Sequence, residues 1–292
     1  MIEMLSNDHL KVLINTLGAE ITSIQNNDGM EYIWQADKNY WGRHAPILFP
    51  IVGRLKNDEC EYDGKKYHMT QHGFARDMEF SVLKHTQDTI DLQLLSNDYT
   101  RERYPFEFKL IVHYKLIESK LSCIISVYNT DNREMLFSVG AHPAFNVPLV
   151  KDGSEQYNDY SLQLSDKGKY NEISFEAPYA DISQKNKIDL SDPIRLSHDL
   201  FKKDAKVIEV PKHTQISSTL TSDKNKHGVT MTPYDNEYAG LWSIKDAPFV
   251  CLEPWWGITD DIHSNGKLKD KVGINKLVPN DKFDARFDIT IF

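Results

Sequence analysis

Three stretches, far apart along the chain, join ionisable side chains to aromatics and turn formers, a composition that suits the lip of a pocket better than a core strand. The first runs from Ala45 to Arg54 and resumes from Gln71 to Arg76. Its prolines and glycines beside Arg54, His72 and Arg76 describe loops that aim fixed donors into a cleft. The second, Phe137 to Asn146, sets His142 among small residues at the end of an apolar run. Pro143 then withholds a backbone donor, so the imidazole is expected to be displayed rather than packed. The third, Phe249 to Gly257, stops an apolar run at one carboxylate, Glu253, and follows it with Trp255 and Trp256. A buried glutamate is costly unless it is paired or used, and flat indole faces suit sugar rings.

Each stretch also has a plainer reading. His72 beside Gly73 fits a loop histidine bonded to backbone, and Asp58, Glu59 and Asp77 stand near enough in sequence to pair with Arg54 and Arg76. His142 fits a satisfied structural histidine, and Glu253 fits a strand-edge residue facing water with the tryptophans in the core. No GxGxxG, P-loop, HExxH or GxSxG pattern occurs, so nucleotide, zinc and serine-hydrolase chemistry find no support. Cys60, Cys123 and Cys251 are scattered, without CxxC or Cys/His ligand spacing. They read as reduced core or strand residues, and neither a metal nor a cofactor is expected.

The elements that must position these residues are strands. Short alternating segments recur at Lys11 to Ile14, Ala19 to Ile24, Thr89 to Leu95, Phe106 to Leu116 and Leu121 to Tyr128. Between them lie turn formers such as Asp28-Gly29, Asp63-Gly64 and Ser119-Lys120. The pair around Ser119 predicts an antiparallel hairpin. The last ten residues place Phe283, Ala285, Phe287, Ile289 and Ile291 on one face of a terminal strand. Helical signals are brief: Asp98 to Arg103, and Ser197 to Lys203 with Ser197 as a possible cap. With no strand-helix-strand rhythm, the pattern predicts an all-β fold, a large antiparallel β-sandwich with few short helices, formed as one domain over residues 1–292.

Apolar residues make up 40% and charged residues 26%, which supports a sizeable core and argues against disorder. The net charge of -9 repels polyanions and no basic block tracks a phosphate backbone, so nucleic acid is not an expected partner. The N-terminus lacks a basic start and apolar run, and no stretch nears the ~20 apolar residues of a membrane span. A cytoplasmic location is expected.

In their order and intervals, the three stretches resemble the aldose 1-epimerase (galactose mutarotase-like) family, and the resemblance extends over nearly the whole chain. Phe49-Pro50-x-x-Gly53-Arg54 and His72-Gly73 look like the family's first two substrate-binding elements. Gly140 to Asn146 looks like the element bearing the catalytic histidine, and Cys251-Leu252-Glu253 like that bearing the catalytic glutamate. The sequence departs from the best-known galactose mutarotases in His142-Pro143 and in Glu253-Pro254-Trp255-Trp256, and looks closer to a divergent bacterial branch. His72 to Arg76 is also similar to hexose-6-phosphate epimerases.

The resemblance implies a galactose mutarotase-like supersandwich with a cleft across one sheet, and an isomerase that interconverts the α and β anomers of a free hexose. Glu253 would be the base and His142 the acid, on opposite sides of the hemiacetal. Arg54, His72, Arg76 and Trp255 would bind the sugar, with Asp204 as the substrate-binding aspartate and Asp199 its rival. A phosphorylated hexose, gripped by Arg43, Arg54 or Arg76, is the alternative substrate, and a non-catalytic carbohydrate-binding protein the alternative from another class. Monomer and homodimer both remain open.

Overall fold

A computed structural model describes residues 1–292, and the molecule it describes is built almost entirely of antiparallel strands. The predicted hairpin pairs Phe108–Ile117 with Lys120–Asn129, and its alternation is literal: Leu110, Val112, Tyr114, Leu121, Cys123, Ile125 and Val127 are all buried. Lys282–Ile291 adds to the same hairpin, turning Ala285, Phe287, Ile289 and Ile291 inward, with Phe283 partly buried against them. Because strand side chains alternate with period two, this register delivers one continuous apolar face.

These strands belong to a nine-stranded sheet running from Ile194–Arg195 at one edge to Ser81–His85 at the other. Facing it is an eight-stranded sheet. Its central strand, Phe249–Trp256, is buried at every residue and pairs with Tyr238–Trp242 on one side and with Val139–Ala141 and Ala144–Asn146 on the other. One apolar cluster takes Val112, Ile125 and Phe287 from the first sheet, and Val139, Leu241, Val250 and Leu252 from the second, so the two pack face to face. The N-terminal three-stranded sheet, Ile2–Ser6, Leu10–Asn15 and Glu20–Asn26, packs into the same cluster through Val12, Ile14 and Ile21.

Two short helices lie close to their predicted places, at Asp98–Arg101 and, as a single 3₁₀ turn, at His198–Phe201; four further 3₁₀ turns, at Lys56–Asp58, Ala75–Asp77, Tyr157–Asp159 and Leu268–Asp270, were not predicted. Asn97 caps the first through its side chain. Ser197 departs from expectation: it occupies the N-cap position with extended backbone but makes no side-chain cap bond. No helix is long and apolar enough to cross a membrane.

One buried ion pair holds the loops over the eight-stranded sheet. Lys271 Nζ stands 3.1 Å from Asp260 Oδ1, and both side chains are almost wholly buried. The other carboxylate oxygen accepts the Lys56 N–H at 2.8 Å, while the Asp260 N–H donates to the Arg54 carbonyl at 2.9 Å. Next to it, Thr259 Oγ1 accepts the Arg54 N–H at 2.9 Å and donates toward the Arg54 carbonyl at 3.0 Å. The strap carrying Arg54 is thereby fixed. Removing one partner of such a pair strands the other charge, so Lys271→Met is expected to cost about 3–5 kcal/mol in urea unfolding. Lys271→Met combined with Asp260→Asn should recover much of that loss, and equal losses in the single and double variants would show the pair has no such role.

Candidate active site

Along Phe249–Trp256, Val250, Leu252 and Trp256 point into the core between the sheets, so Phe249, Cys251, Glu253 and Trp255 lie on the opposite face. The partner strands keep a single register across a gap: Gly140 pairs with Trp255 and Ala144 with Cys251, which sets His142 directly opposite Glu253. Pro143 accepts the Leu252 N–H at 3.1 Å and cannot return the bond, so the ladder breaks there. Meanwhile the His142 N–H turns the other way, to the Pro46 carbonyl at 3.0 Å. His142 and Glu253 therefore occupy a non-hydrogen-bonded position, where cross-strand side chains come closest. His142 Nε2 lies 3.3 Å from Glu253 Oε2.

Small residues make room for this meeting. Trp255 Nε1 donates to Glu253 Oε2 at 3.1 Å, which requires its indole to lie flat along the sheet. Glycines on both flanking strands permit it, because a Cβ on Gly140 or Gly240 would stand about 3.0 Å from the indole. Trp255 is thus a buried partner of Glu253, and not the open sugar platform the sequence suggested; Trp256 sits in the main core. The aromatic surface comes from residues that sequence reasoning passed over. Trp41 stacks on the His142 ring with centroids 4.8 Å apart, and Trp242 meets it edge-on at 5.5 Å. Both are partly exposed. Four of the five tryptophans, at 34, 41, 242 and 255, gather on this side of the sheet, a clustering that only the folded register reveals.

His142 is consequently packed, at 7% exposure, contrary to the expectation that Pro143 would display it. The strand break moves it out of the ladder but under Trp41. Nor do His142 and Glu253 face one another across an open cleft; they stand side by side.

His72 arrives from a loop, with φ of 66°, and its ring lies 5.5 Å from that of His142. The Gly53 N–H donates to His72 Nδ1 at 3.1 Å, which fixes the proton of the neutral ring on Nε2 and leaves that atom a donor. Burial, followed by the nearby His142, Arg76, Arg43 and Arg54, holds His72 well below the usual histidine range. The arginines form a second layer. Arg43 bonds Asp77 at 2.9 Å, while Arg54 Nε lies 3.5 Å from Asp58 and Arg76 Nε 3.7 Å from Asp77. Arg54 Nε and Arg76 Nε are buried without a hydrogen-bond partner. Burial, then repulsion from Arg43, brings Arg76 down to about 10.

Asp204 adopts φ of 92° and accepts its neighbour's N–H, from Ala205, at 2.8 Å. It is close enough for its charge to act on Glu253, whereas Asp199 pairs with Lys202 at 2.9 Å on the exposed surface. Both aspartates line a cavity of about 630 Å³ whose lining includes neither His142 nor Glu253.

The electrostatics of the pair follow from burial. Loss of water raises the Glu253 carboxyl well above its ordinary range, the Trp255 bond opposing and Asp204 adding to the shift. The same desolvation takes His142 down to about 3. Burial thus disfavours either charge alone, and the two groups hold a single proton between them, on the carboxyl or, once that is ionised, on the ring.

The model of the aldose 1-epimerase family matches residues 1–267. The chain is 34% identical to the plasmid-borne protein LacX of Lactococcus lactis subsp. lactis, over 98% of each. Among solved structures, a galactose mutarotase related enzyme from Lactobacillus acidophilus superposes with a TM-score of 0.97 at 40% identity, covering 100% of this chain and 97% of that one. A galactose mutarotase-like protein from Lactobacillus casei gives 0.91 at 31% identity, covering both chains fully. The chain belongs to the aldose 1-epimerase family, whose members are classed as isomerases, and its fold is the galactose mutarotase-like β-sandwich.

The raised Glu253 value has a consequence for stability. Above the ordinary glutamate value of 4.5 the unfolded chain releases a proton that the folded one retains, so stability falls as pH rises toward the folded value. Glu253→Gln keeps an acceptor for Trp255 and abolishes this loss. Its Tm should exceed that of the wild type by a margin that is absent at pH 4 and widens as pH rises above the ordinary glutamate value, at about 2–4 °C per kcal/mol. A margin that does not vary with pH in thermal melts would refute the assignment.

Proposed function

We propose that the protein is an aldose 1-epimerase that interconverts the α and β anomers of a free hexose, with Glu253 and His142 as its acid–base pair. The observation that carries this reading is the 3.3 Å approach of the two groups on a buried sheet face walled by Trp41 and Trp242. Opening a pyranose removes the proton of the C1 hydroxyl and delivers one to the ring oxygen. Both oxygens are attached to one carbon, so a base and an acid standing side by side serve them as well as a facing pair.

A bound sugar completes the machinery. Its C1 hydroxyl donates to the Glu253 carboxylate, and hydrogen bonding to the charged form favours ionisation, so the shared proton moves to His142. Glu253 takes the hydroxyl proton while His142 protonates the ring oxygen. Rotation about the C1–C2 bond then presents the other face of the aldehyde, and closure returns both protons. His72, a neutral Nε2 donor, and Arg54 hold neighbouring hydroxyls, and Arg76 supports the charge that develops at the ring oxygen. Asp204 fits a contact to a more distant hydroxyl. We place the protein in the cytoplasm, where the three buried free thiols stay reduced.

A second reading draws on the arginines. Arg43, Arg54 and Arg76 have only Asp58 and Asp77 as ion-pair partners, and two of their Nε atoms are unbonded, which favours a phosphorylated hexose. Polarimetry on freshly dissolved α-galactose, α-glucose and α-glucose 6-phosphate decides between them. A free sugar turned over fastest supports the first reading, and turnover confined to the phosphate ester replaces it with the second. With the preferred sugar, Glu253→Gln and His142→Asn should each lower kcat by about 10²- to 10⁴-fold with a smaller change in KM. Wild-type turnover in either variant would remove that residue from the mechanism.

A further inference from the structure

Cys251 has no part in the reaction proposed above, yet it lies on the same strand face as Glu253, two residues before it. Across the sheet it is opposite Ala144, two residues beyond His142 on the partner strand. A ring nitrogen of His142, the Cys251 sulfur and a Glu253 carboxylate oxygen all lie within 4.8 Å of one another. The spacing of Cys251 and Glu253 gave no sign of this, because the third member comes from a neighbouring strand.

We infer that His142, Cys251 and Glu253 form a binding site for a divalent transition-metal ion of the zinc type, and that the ion inhibits the enzyme by occupying its acid–base pair. Nitrogen and oxygen ligands about 2.0–2.1 Å from a tetrahedral ion stand roughly 3.3 Å apart, and His142 Nε2 and Glu253 Oε2 are already separated by 3.3 Å. The sulfur, within 4.8 Å of the other two ligand atoms, closes in to a bond of about 2.3 Å. Three protein ligands leave the fourth position for water or a sugar hydroxyl.

Charge and ligand type select the ion. A thiolate, a carboxylate and a neutral imidazole carry two negative charges, which a divalent ion cancels, so the assembled site is neutral in an interior that penalises net charge. Binding displaces the thiol proton and the proton that the acid–base pair shares, and both pass to solvent. Magnesium and calcium demand oxygen ligands and are rejected by sulfur, whereas zinc and cobalt accept this mixed set. Occupation of the site stands on geometry alone; inhibition also rests on the proposed roles of His142 and Glu253.

The test adds Co²⁺ to the purified protein and records the absorption spectrum, with anomerisation measured in parallel against Zn²⁺. The wild type should show a thiolate-to-cobalt charge-transfer band and the strong visible bands of four-coordination. Cys251→Ala should lose the charge-transfer band and raise the Zn²⁺ concentration for half-inhibition by at least roughly 10–100-fold, the loss in metal affinity that removing even an outer partner brings. Mg²⁺ should have no effect. If Cys251→Ala does not fold, Glu253→Gln takes its place and should weaken Co²⁺ binding by at least as much. Absence of the band in the wild type, its persistence in Cys251→Ala, or unchanged Co²⁺ affinity in Glu253→Gln would each overturn the site. A band in a wild-type protein that turns over no sugar would uphold the metal site and sink the acid–base reading.

Discussion

The site depends on keeping one carboxyl group out of water. Glu253 sits in the middle of a strand buried on both faces, at 3% exposure, where an isolated negative charge would be prohibitively costly. Its neighbours make the position tenable by offering two alternatives to solvation: a hydrogen bond from Trp255 and an imidazole that can hold the proton. That arrangement costs stability and, in the function we propose, yields reactivity. A carboxyl in water would already have released its proton at neutral pH and would be a weak base, whereas one deprived of water binds a proton more strongly when it becomes ionised.

Everything near the pair serves that arrangement through backbone register. The strand break at Pro143 sacrifices one ladder bond and in return leaves His142 opposite Glu253 in the closer type of cross-strand position. The indole of Trp255 reaches the carboxylate only because the strands on either side present glycine beside it. Farther out, Thr259 and Asp260 hold the Arg54 strap by its backbone, and the neighbouring Gly53 N–H sets the His72 tautomer. The buried Asp260–Lys271 pair thus governs a donor in the site although neither residue touches it.

How much of this the sequence disclosed follows from the same physics. Strands with one face in the core announce themselves by alternation, so the hairpin around Ser119 and the terminal strand were legible almost to the residue. The strand Phe249–Trp256 is covered on both faces, so its composition is apolar throughout and cannot say which way Glu253 points. Residue types identified His142 and Glu253 as chemically interesting, yet their meeting depends on pairing between segments more than a hundred residues apart. Trp41 and Trp242 were passed over, and Cys251 was read only as a reduced core or strand residue, for the same reason: each looks like ordinary core or loop material until the register places it beside the pair. Trp255 was misread because a tryptophan after a glutamate suggests a platform, while its indole N–H makes it equally a donor.

The chain as a whole carries a net charge of -9, yet three arginines and the neutral His72 converge near the His142 end of the buried pair, with Asp204 acting on Glu253. Such a local reversal of sign attracts electron-rich oxygen against the field of the rest of the molecule. In the proposed ring opening, the atom that most needs such support is the ring oxygen, which gains negative charge as its bond to C1 breaks. Donors held by backbone bonds, as His72 is by Gly53, need not reorient when that charge appears, and fixed dipoles of this kind are where most of the stabilisation of a transition state resides. In the reaction we propose, the arginine layer and the buried pair act as one device: the pair moves the protons, and the cationic wall lowers the energy of the oxygen between its two bonded states.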